Sequence, residues 1–157
     1  MKTLSRKAQY GLRALYALTR NYGRGPMLIA TLSEQESIPK KFLEAILLEL
    51  RNRGLVDSKK GRGGGYALAQ PPEKIMLGTV VRIIDGPLAP LPCASETAYR
   101  RCDECPDERL CETRLVMKQV RDATARILDT TSLAQVCREI DELKEKETGQ
   151  PALMYYI

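Results

Sequence analysis

Four of the chain's five cysteines lie within residues 92–111, a segment called the cysteine loop below. They are Cys93, Cys102, Cys105 and Cys111, and Cys102 and Cys105 form a CxxC pair. Thiols at this density form disulfides, bind a metal or react with oxidants. Thiolates hold both iron–sulfur clusters and tetrahedral zinc. The loop therefore predicts a metal site, with a reversible Cys102–Cys105 disulfide as the metal-free alternative.

The rest of the composition argues against structural disulfides. There is no run of about 18 apolar residues, and the first residues lack the apolar segment of a signal peptide, so we expect no membrane contact and a cytoplasmic location. In a reducing cytoplasm thiols stay free or metal-bound, and an odd cysteine count does not suit a disulfide framework. The fifth cysteine, Cys137, stands among apolar residues in LAQVCREI and is predicted to be a buried packing residue.

Charge divides the chain into two regions. Residues 1–74 contain 14 Lys/Arg against 6 Asp/Glu, whereas residues 75–157 contain 11 against 14. A basic first region joined to a mildly acidic second one predicts that only the first binds a polyanion. The chain has no histidine, no nucleophile elbow and no recognisable pair of catalytic carboxylates, so we expect no enzyme.

Three helices are predicted in the first region. LSRKAQYGLRALYALTRNYG gives the first, with Ser5 as its N-cap, and MLIATLSEQESI gives a short second helix carrying Leu28 and Leu32. In SIPKKFLEAILLELRNRGLV, Pro39 suits the first turn of a third helix. The second and third helices are separated by a tight turn and predict a helix-turn-helix. The apolar stripes comprise Ala8, Leu12, Leu15, Thr19 and Tyr22 in the first helix and Leu43, Ile46, Leu47 and Leu50 in the third.

A cationic hairpin is predicted next. Two strand-like runs, LVDS and YALA, flank a tip in which Lys59, Lys60 and Arg62 alternate with glycines that permit positive φ and close backbone approach. Directly after a helix-turn-helix, such a hairpin is typical of a winged helix. The tip lacks the GxxxxGK(S/T) motif of a nucleotide phosphate loop and does not open a helix after a buried strand, which argues against nucleotide binding.

The second region predicts a linker helix in LGTVVRIIDGP, the cysteine loop, and a long helix from Glu112. Apolar positions recur there at heptad spacing over about two heptads. A dimer seam is favoured because palindromic DNA sites need a two-fold axis, and a monomer's core helix is the alternative. SLAQVCREIDELKEKE predicts a last short helix leading into a charged tail. The heptad positions are Thr113, Val116, Val120, Ala123 and Ile127.

The predicted fold class is therefore mainly α with a small β wing. A winged helix-turn-helix DNA-binding region spans residues 1–74. The linker helix, the cysteine loop and a long C-terminal dimerisation helix span residues 75–157.

In this order of elements the chain resembles the Rrf-type transcriptional regulators, the winged-helix family of IscR, NsrR, RirA and CymR. The likeness rests on AQYGLRAL, IPKKFLEAILLELRNRGLV, GRGGGYALA and the cysteine loop leading into LVMKQVRDATARILD, and it covers about residues 1–138. It implies a homodimer whose winged helices bind the half-sites of a double-stranded DNA operator, with the long helix crossing the dimer.

The resemblance places the DNA-reading residues on the third helix and the wing. Lys40 and Lys41, at the helix N-terminus, are expected to reach phosphates or guanine edges, and Glu44 to accept from cytosine N4. From the sequence alone, Glu44 fits an ion pair with Lys40 equally well. The predicted set is Pro39, Lys40, Lys41, Glu44, Lys59, Lys60, Arg62 and Gly63, with further backbone contacts from Arg6, Lys7 and Arg13.

Iron–sulfur members of this family use three cysteines of the loop and a variable fourth ligand. The resemblance assigns the three positions to Cys93, Cys105 and Cys111. Some members use histidine as the fourth ligand, which this chain lacks. The fourth ligand would then be Cys102, an oxygen ligand of the loop, or a group outside the loop. The sequence is compatible with both a 2Fe–2S and a 4Fe–4S cluster. The oxygen candidates are Asp103, Glu104, Asp107 and Glu108.

The predicted function is a repressor whose operator affinity depends on this cluster, which senses iron, redox or nitric oxide status. The cluster would fix the cysteine loop against the start of the dimer helix and so set the spacing of the two winged helices. The alternative is a regulator of the same fold, metal-free or zinc-bound, that is controlled by thiol oxidation or by a regulatory protein partner, as CymR-like members are.

Overall fold

The computed structural model describes residues 4–149, and within them it is mainly helical. A two-stranded antiparallel sheet interrupts the series of helices, which confirms the predicted fold class. None of the described helices is both long and apolar enough to cross a bilayer. The elements are α1 (Arg6–Arg20), α2 (Ile29–Glu36), α3 (Lys40–Asn52), β1 (Val56–Lys59), β2 (Gly65–Leu68), α4 (Leu77–Asp85), α5 (Glu112–Thr130) and α6 (Leu133–Gly149).

Local sequence signals set the ends of the first helices. The Ser5 hydroxyl accepts from the backbone N–H of Ala8 at 3.0 Å and caps α1, as predicted. After α2 the chain reverses at Ser37, which lies in the left-handed region with φ 51°. Pro39 is the N-cap of α3, with its ring fixing φ near the helical value. This compact turn places α2 and α3 in the helix-turn-helix arrangement.

One hydrophobic core joins α1, α2, α3 and the sheet. All four residues of the predicted α3 stripe are no more than 1% exposed, and Leu32 of α2 is fully buried. Val56 of β1 and Leu68 of β2 close the core from the side of the hairpin. The α3 stripe comprises Leu43, Ile46, Leu47 and Leu50.

Ala8 and Leu15 of the predicted α1 stripe are buried, but the rest of that stripe and the placement of Leu28 within α2 differ from the structure. In α1, Leu12 and Thr19 are only half-buried and Tyr22 is 47% exposed beyond the helix end. Small side chains let α1 pack closely against its neighbours. The buried face of α1 is therefore centred on these small residues and not on the predicted stripe. Leu28 precedes α2 as its N-cap and is 58% exposed. The buried residues of α1 are Ala8, Gly11, Ala14, Leu15, Ala17 and Leu18.

The second region packs against this core through α4 and the start of α6. Val80 of α4 and Leu133 of α6 are fully buried, and Cys137 is 6% exposed. The Cys137 thiol lies 3.9 Å from the carbonyl oxygen of Tyr16, and burial raises its pKa, so the prediction of a buried packing residue is confirmed. α6 has 17 residues and is longer than the short helix predicted, and residues 150–157 of the expected charged tail lie outside the described residues.

Candidate nucleic-acid interface and cysteine loop

The start of α3 presents positive charge to solvent. Pro39, Lys40, Lys41 and Glu44 are all exposed. Backbone N–H groups at a helix N-terminus have no intrahelical partner and carry a partial positive charge, which adds to that of the two lysines. Across the described chain, Lys40 and Glu44 form no ion pair, so the solvated Lys40–Glu44 pair that the sequence also allowed is not present.

The wing is a short antiparallel hairpin with a cationic tip. Its register pairs Val56 with Leu68 and Lys59 with Gly65. Beyond the last pair, Lys60, Arg62 and Gly63 are exposed, and so is Lys59. Three cations thus stand at the end of a hairpin only four residues long on each side, a shape suited to contacting phosphates or entering a groove.

Close backbone approach explains the glycines at the base of the wing tip. A Cβ on Gly64 would overlap the carbonyl oxygen of Lys59, and one on Gly65 would overlap that of Met27. Gly65 also has φ 140°, which other residues rarely adopt. The Met27 and Tyr66 backbones exchange two hydrogen bonds of 2.8 Å, which tie the wing to the segment before α2. The glycines therefore allow the wing to be anchored.

Two of the three predicted phosphate contacts on α1, Lys7 and Arg13, have partners within the chain. Lys7 forms an ion pair of 2.5 Å with Glu49 of α3, and Arg13 pairs with Glu36 of α2 at 3.7 Å. Arg13 also donates to the backbone carbonyl of Glu36. Both cations hold α1 against the helix-turn-helix.

The structure places the four loop cysteines in different environments. Cys93 is buried in a 3-10 turn, Cys102 is exposed, and Cys105 and Cys111 are half-buried. Cys111 is also the N-cap of α5, and its sulfur accepts the backbone N–H of Arg114 at 3.4 Å. A thiolate there would interact favourably with the positive end of the helix.

The thiol of Cys105 is influenced by two other loop cysteines. Desolvation raises the pKa of the Cys105 thiol, the nearby Cys111 side chain raises it further, and the charges of Cys111 and Cys102 act in the same direction. Within the described residues, no three Cys, Asp or Glu side chains are gathered closely enough to hold a metal ion. The four thiols of the loop are therefore not assembled into a metal site in this structure.

Two of the four acidic residues proposed as a fourth ligand are already engaged. The Tyr99 hydroxyl donates to Glu108 at 2.6 Å, and this hydrogen bond raises the pKa of Tyr99. Arg109 donates to Asp107 at 2.9 Å from its backbone and at 3.2 Å from its guanidinium, which lowers the pKa of Asp107. Asp103 and Glu104 lie exposed at the tip.

Two arginines of α5 hold the first end of the cysteine loop, and the sequence analysis missed both. Arg114 donates to the Cys93 carbonyl at 2.9 Å and to the Glu108 carbonyl at 3.4 Å. Arg121 donates to the Ala94 carbonyl at 2.6 Å, and its side chain is 11% exposed. Seven residues apart, the two arginines lie on one face of the helix. That spacing was the available sequence signal, but it does not say which carbonyls are reached.

A second link joins α5 to α4. Arg82 donates to both carboxylate oxygens of Asp129, at 2.6 and 2.8 Å. This bidentate pair lowers the pKa of Asp129 and raises that of Arg82. A Cβ on Gly78 would overlap Oδ1 of Asp129, so a glycine at this position of α4 makes room for the pair. The cysteine loop is therefore connected to the winged helix through α5.

Several apolar positions of α5 remain uncovered. None of its residues is buried, and Leu115, Val116 and Ile127 are 62%, 50% and 65% exposed. Ile127 also borders an apolar cavity of about 480 Å³ between α1, α4 and α5. Val116 and Ile127 belong to the predicted heptad series, so that series faces solvent in the single chain.

Known proteins match this chain over nearly its whole length. An rrf2-like HTH-type transcriptional regulator of Rhodobacter capsulatus is 41% identical over 133 residues, 83% of this chain and 89% of the relative. The structure of Bacillus subtilis CymR, the global cysteine regulator, is 30% identical and matches with a TM-score of 0.73, covering 88% of this chain and 98% of CymR. That of T. potens IscR is 28% identical, with a TM-score of 0.69 and coverages of 99% and 97%.

These relatives are transcriptional regulators, which confirms that the chain is not an enzyme. The fold they share is the helix-turn-helix with a wing described above. The Rrf2 model, described as an iron-dependent transcriptional regulator, matches residues 4–139. That range includes the reading helix, the wing, the cysteine loop and α5. The chain therefore belongs to the Rrf2 family of DNA-binding transcriptional regulators.

Proposed function

We propose that the protein is a cytoplasmic, homodimeric repressor that binds a palindromic operator and is controlled by an iron–sulfur cluster on the cysteine loop. Each subunit would contact one half-site through α3 and the wing. The ligands would be Cys93, Cys105 and Cys111, with Cys102 as the fourth. One observation carries the proposal: two arginines fasten the thiol-rich loop to α5, the helix whose apolar face is left uncovered.

Charge and exposure support the DNA-binding part. The DNA-binding set predicted from the sequence is exposed, and its cations lie at the start of α3 and at the wing tip. Lysines at these positions add a salt-dependent, sequence-independent attraction to phosphates, whereas Glu44 can select a base by accepting from cytosine N4. Residues 1–74 carry the excess of Lys/Arg that a polyanion requires.

The exposed apolar row of α5 supports the dimer. Val116 and Ile127 lie 11 residues apart on the heptad series and are both at least half exposed. A large exposed apolar face is typical of a protein–protein interface. A seam between two α5 helices would bury this row and place the winged helices about a two-fold axis, as a palindromic operator demands.

The residues of the loop fit a cluster in their chemistry. Four thiols lie within 20 residues of a chain without histidine, and the charges of Cys102 and Cys111 both act on the Cys105 thiol and raise its pKa. Cys93 would have to turn towards them, and Arg114 holds its carbonyl beside the Cys111 cap of α5. A bound cluster would supply four sulfur–iron bonds that cross-link this segment.

This chain's own residues would carry the signal. Arg114 and Arg121 hold the loop backbone at Cys93 and Ala94 against α5. At the other end of α5, Asp129 forms an ion pair with Arg82 of α4, and α4 packs against α1. A change in the loop therefore shifts α5, and α5 shifts the winged helix on which it is fastened. A thousandfold change in operator affinity needs about 4 kcal/mol of difference between the two states.

The proposal is tested by anaerobic purification, with an absorbance spectrum and analysis of iron, sulfide and zinc. We expect a coloured protein whose visible absorbance is lost in the Cys93→Ser, Cys105→Ser and Cys111→Ser variants and whose operator affinity changes with it. Cys137→Ala is the matched control and keeps the colour. Colourless, iron-free protein that binds its operator with unchanged affinity would remove the cluster from the mechanism.

The effect of Cys111 on the Cys105 thiol favours a second candidate, a metal-free regulator controlled by thiol oxidation. Cys111 and Cys102 both raise the pKa of Cys105, so a Cys105–Cys111 disulfide is a candidate beside the Cys102–Cys105 pair of the sequence analysis. Peroxide treatment of metal-free protein, followed by peptide mass mapping, separates the readings. A Cys105–Cys111 disulfide that alters operator affinity supports the second candidate, and a zinc-bound protein unaffected by peroxide supports neither.

A further inference from the structure

We propose that α3 reads the C5-methyl groups of thymines through Ala45 and Leu48, an inference that rests on the proposed binding of DNA by this helix. Neither residue belongs to the cationic set predicted from the sequence. Both lie on the part of α3 that faces furthest from the core.

The spacing of exposed residues defines this face. Lys41, Ala45, Leu48 and Asn52 follow one another at intervals of four, three and four, so they form one row along the helix. All four are exposed. With about 100° between successive residues, the row lies opposite the buried stripe of α3. It is therefore the part of the helix that a groove would meet first.

Contacts on either side fix the flanks of this row. On one flank, the ring of Phe42 packs edge-on against Tyr10 of α1 with centroids 6.4 Å apart, and Glu49 pairs with Lys7 of α1. On the other, Arg51 donates to Ser58 of β1 at 3.0 Å. Glu44 lies seven residues before Arg51 and shares its flank. Glu44 therefore faces the wing side, and the middle of the row is apolar.

The apolar centre of the row is where this helix could contact an apolar feature of DNA. Leu48 is 47% exposed, so about half of its side chain is in contact with water, which is unfavourable for an apolar group. In the major groove, one base-pair feature is apolar, the methyl group of thymine. The methyl of Ala45 is short enough for the helix to approach the base edge, and Leu48 would meet a thymine one turn further on. Lys41, at the start of the row, would contact phosphate or guanine.

The experiment begins with DNA sequences selected by the wild-type protein from a random duplex library. Each thymine of the selected site is then replaced by deoxyuridine, which removes only the methyl group. We expect one or two positions per half-site at which the replacement weakens binding about fourfold, the effect of exposing one methyl group to water. Replacements elsewhere in the site leave binding unchanged.

Variants assign the effect to the row. In Leu48→Ala and Ala45→Gly, the deoxyuridine effect at one of those positions should disappear, because the methyl no longer has a partner. Phe42→Ala is the matched control, an exposed apolar residue of α3 outside the row, and keeps the full effect. Circular dichroism checks that each variant is folded.

The outcomes separate the two claims. If no sequence is enriched from the library, the proposed function fails. If a site is enriched but no thymine methyl affects binding, DNA reading survives and apolar readout is wrong. If the methyl effect persists undiminished in both row variants, other residues read the thymine and the assignment is overturned.

Discussion

The two regions of this molecule differ in how completely each buries its own apolar residues. In the region before residue 75, α1, α2, α3 and the hairpin supply most of a continuous core, and the α3 stripe is sealed. Beyond residue 75, α5 has 19 residues of which none is buried, and Leu115, Val116 and Ile127 along it are at least half exposed. The first region buries most of its apolar residues by itself, whereas α5 leaves apolar residues exposed to water in the single chain.

The difference also appears in what holds each region together. In the first, leucines and alanines pack, and ion pairs such as Lys7–Glu49 lie at the periphery. In the second, the contacts of α5 with the rest of the chain depend strongly on arginines: Arg82 on Asp129, and Arg114 and Arg121 on loop carbonyls. Directional polar contacts change more readily between alternative arrangements than a sealed core does. The second region is thus the natural place for a signal to act.

The largest expected effect is on the sealed core. Leu47→Ala removes a fully buried side chain of α3 and should lower the free energy of unfolding by about 2–5 kcal/mol, through lost burial and the cavity left behind. Leu28→Ala, at a leucine 58% exposed, is the matched control and should cost less than about 0.5 kcal/mol. Urea titration at one fixed protein concentration measures both. If both variants lost the same free energy of unfolding, the first region would not have the buried core described above.

The next prediction tests whether a second copy of the chain covers the exposed apolar row of α5. The double variant Val116→Arg, Ile127→Arg places charge on the uncovered row and should convert dimer to monomer, weakening operator binding about 100-fold through loss of the second half-site. Tyr22→Arg, at a residue 47% exposed after α1, is the control. Sedimentation velocity and operator titration give the two readouts. A double variant that remains dimeric would place the interface elsewhere.

The same contrast explains what the sequence could predict. The α3 stripe, the Ser5 cap, the wing and the start of α5 at Glu112 are encoded by neighbours along the chain, in periodicity, capping and turn residues, and the structure bears them out. The face of α1 was misjudged because its buried residues include Gly11, Ala14 and Ala17, which a hydrophobic pattern weights little.

The links to α5 could not be predicted in this way. Arg82 and Asp129 are 47 residues apart, and Arg121 reaches a carbonyl 27 residues before it. Any of several arginines could have served, because the choice depends on how the loop folds back over the helix. The cysteines were visible as a group, but the influence of Cys111 on Cys105 could not be read from the CxxC spacing, because it depends on how the loop folds back.

A moderate effect is expected where the two regions meet. Alanine is ordinarily favoured over glycine within a helix, yet Gly78→Ala should lower the free energy of unfolding by about 1–3 kcal/mol, because its Cβ would displace Asp129 from Arg82. Thr79→Ala, at the exposed neighbouring position of α4, is the control and should not destabilise. Urea titration reports the cost. A Gly78→Ala protein as stable as wild type would show that α4 and α5 meet without this close approach.

The smallest effect is the pH dependence of that link. Arg82 lowers the pKa of Asp129, so the folded state binds the proton less tightly than the unfolded chain does. The stabilisation is therefore complete above the ordinary pKa of aspartate, about 3.9, and is lost as pH falls through the lowered value. Both side chains are more than 30% exposed, so its size should stay under about 1 kcal/mol.

Asp129→Asn isolates this contribution. The difference in free energy of unfolding between wild type and Asp129→Asn should be constant from about pH 7 to pH 5 and shrink below about pH 4, where Asp129 takes up a proton in the unfolded chain and, at still lower pH, in the folded protein. Asp141→Asn, whose carboxylate stands 4.0 Å from Arg20, provides the comparison and should show the smaller difference. If the Asp129 difference grew as the pH fell, the carboxylate would be destabilised by its surroundings. The pair with Arg82 would then not be the contact that fastens α5 to the winged helix.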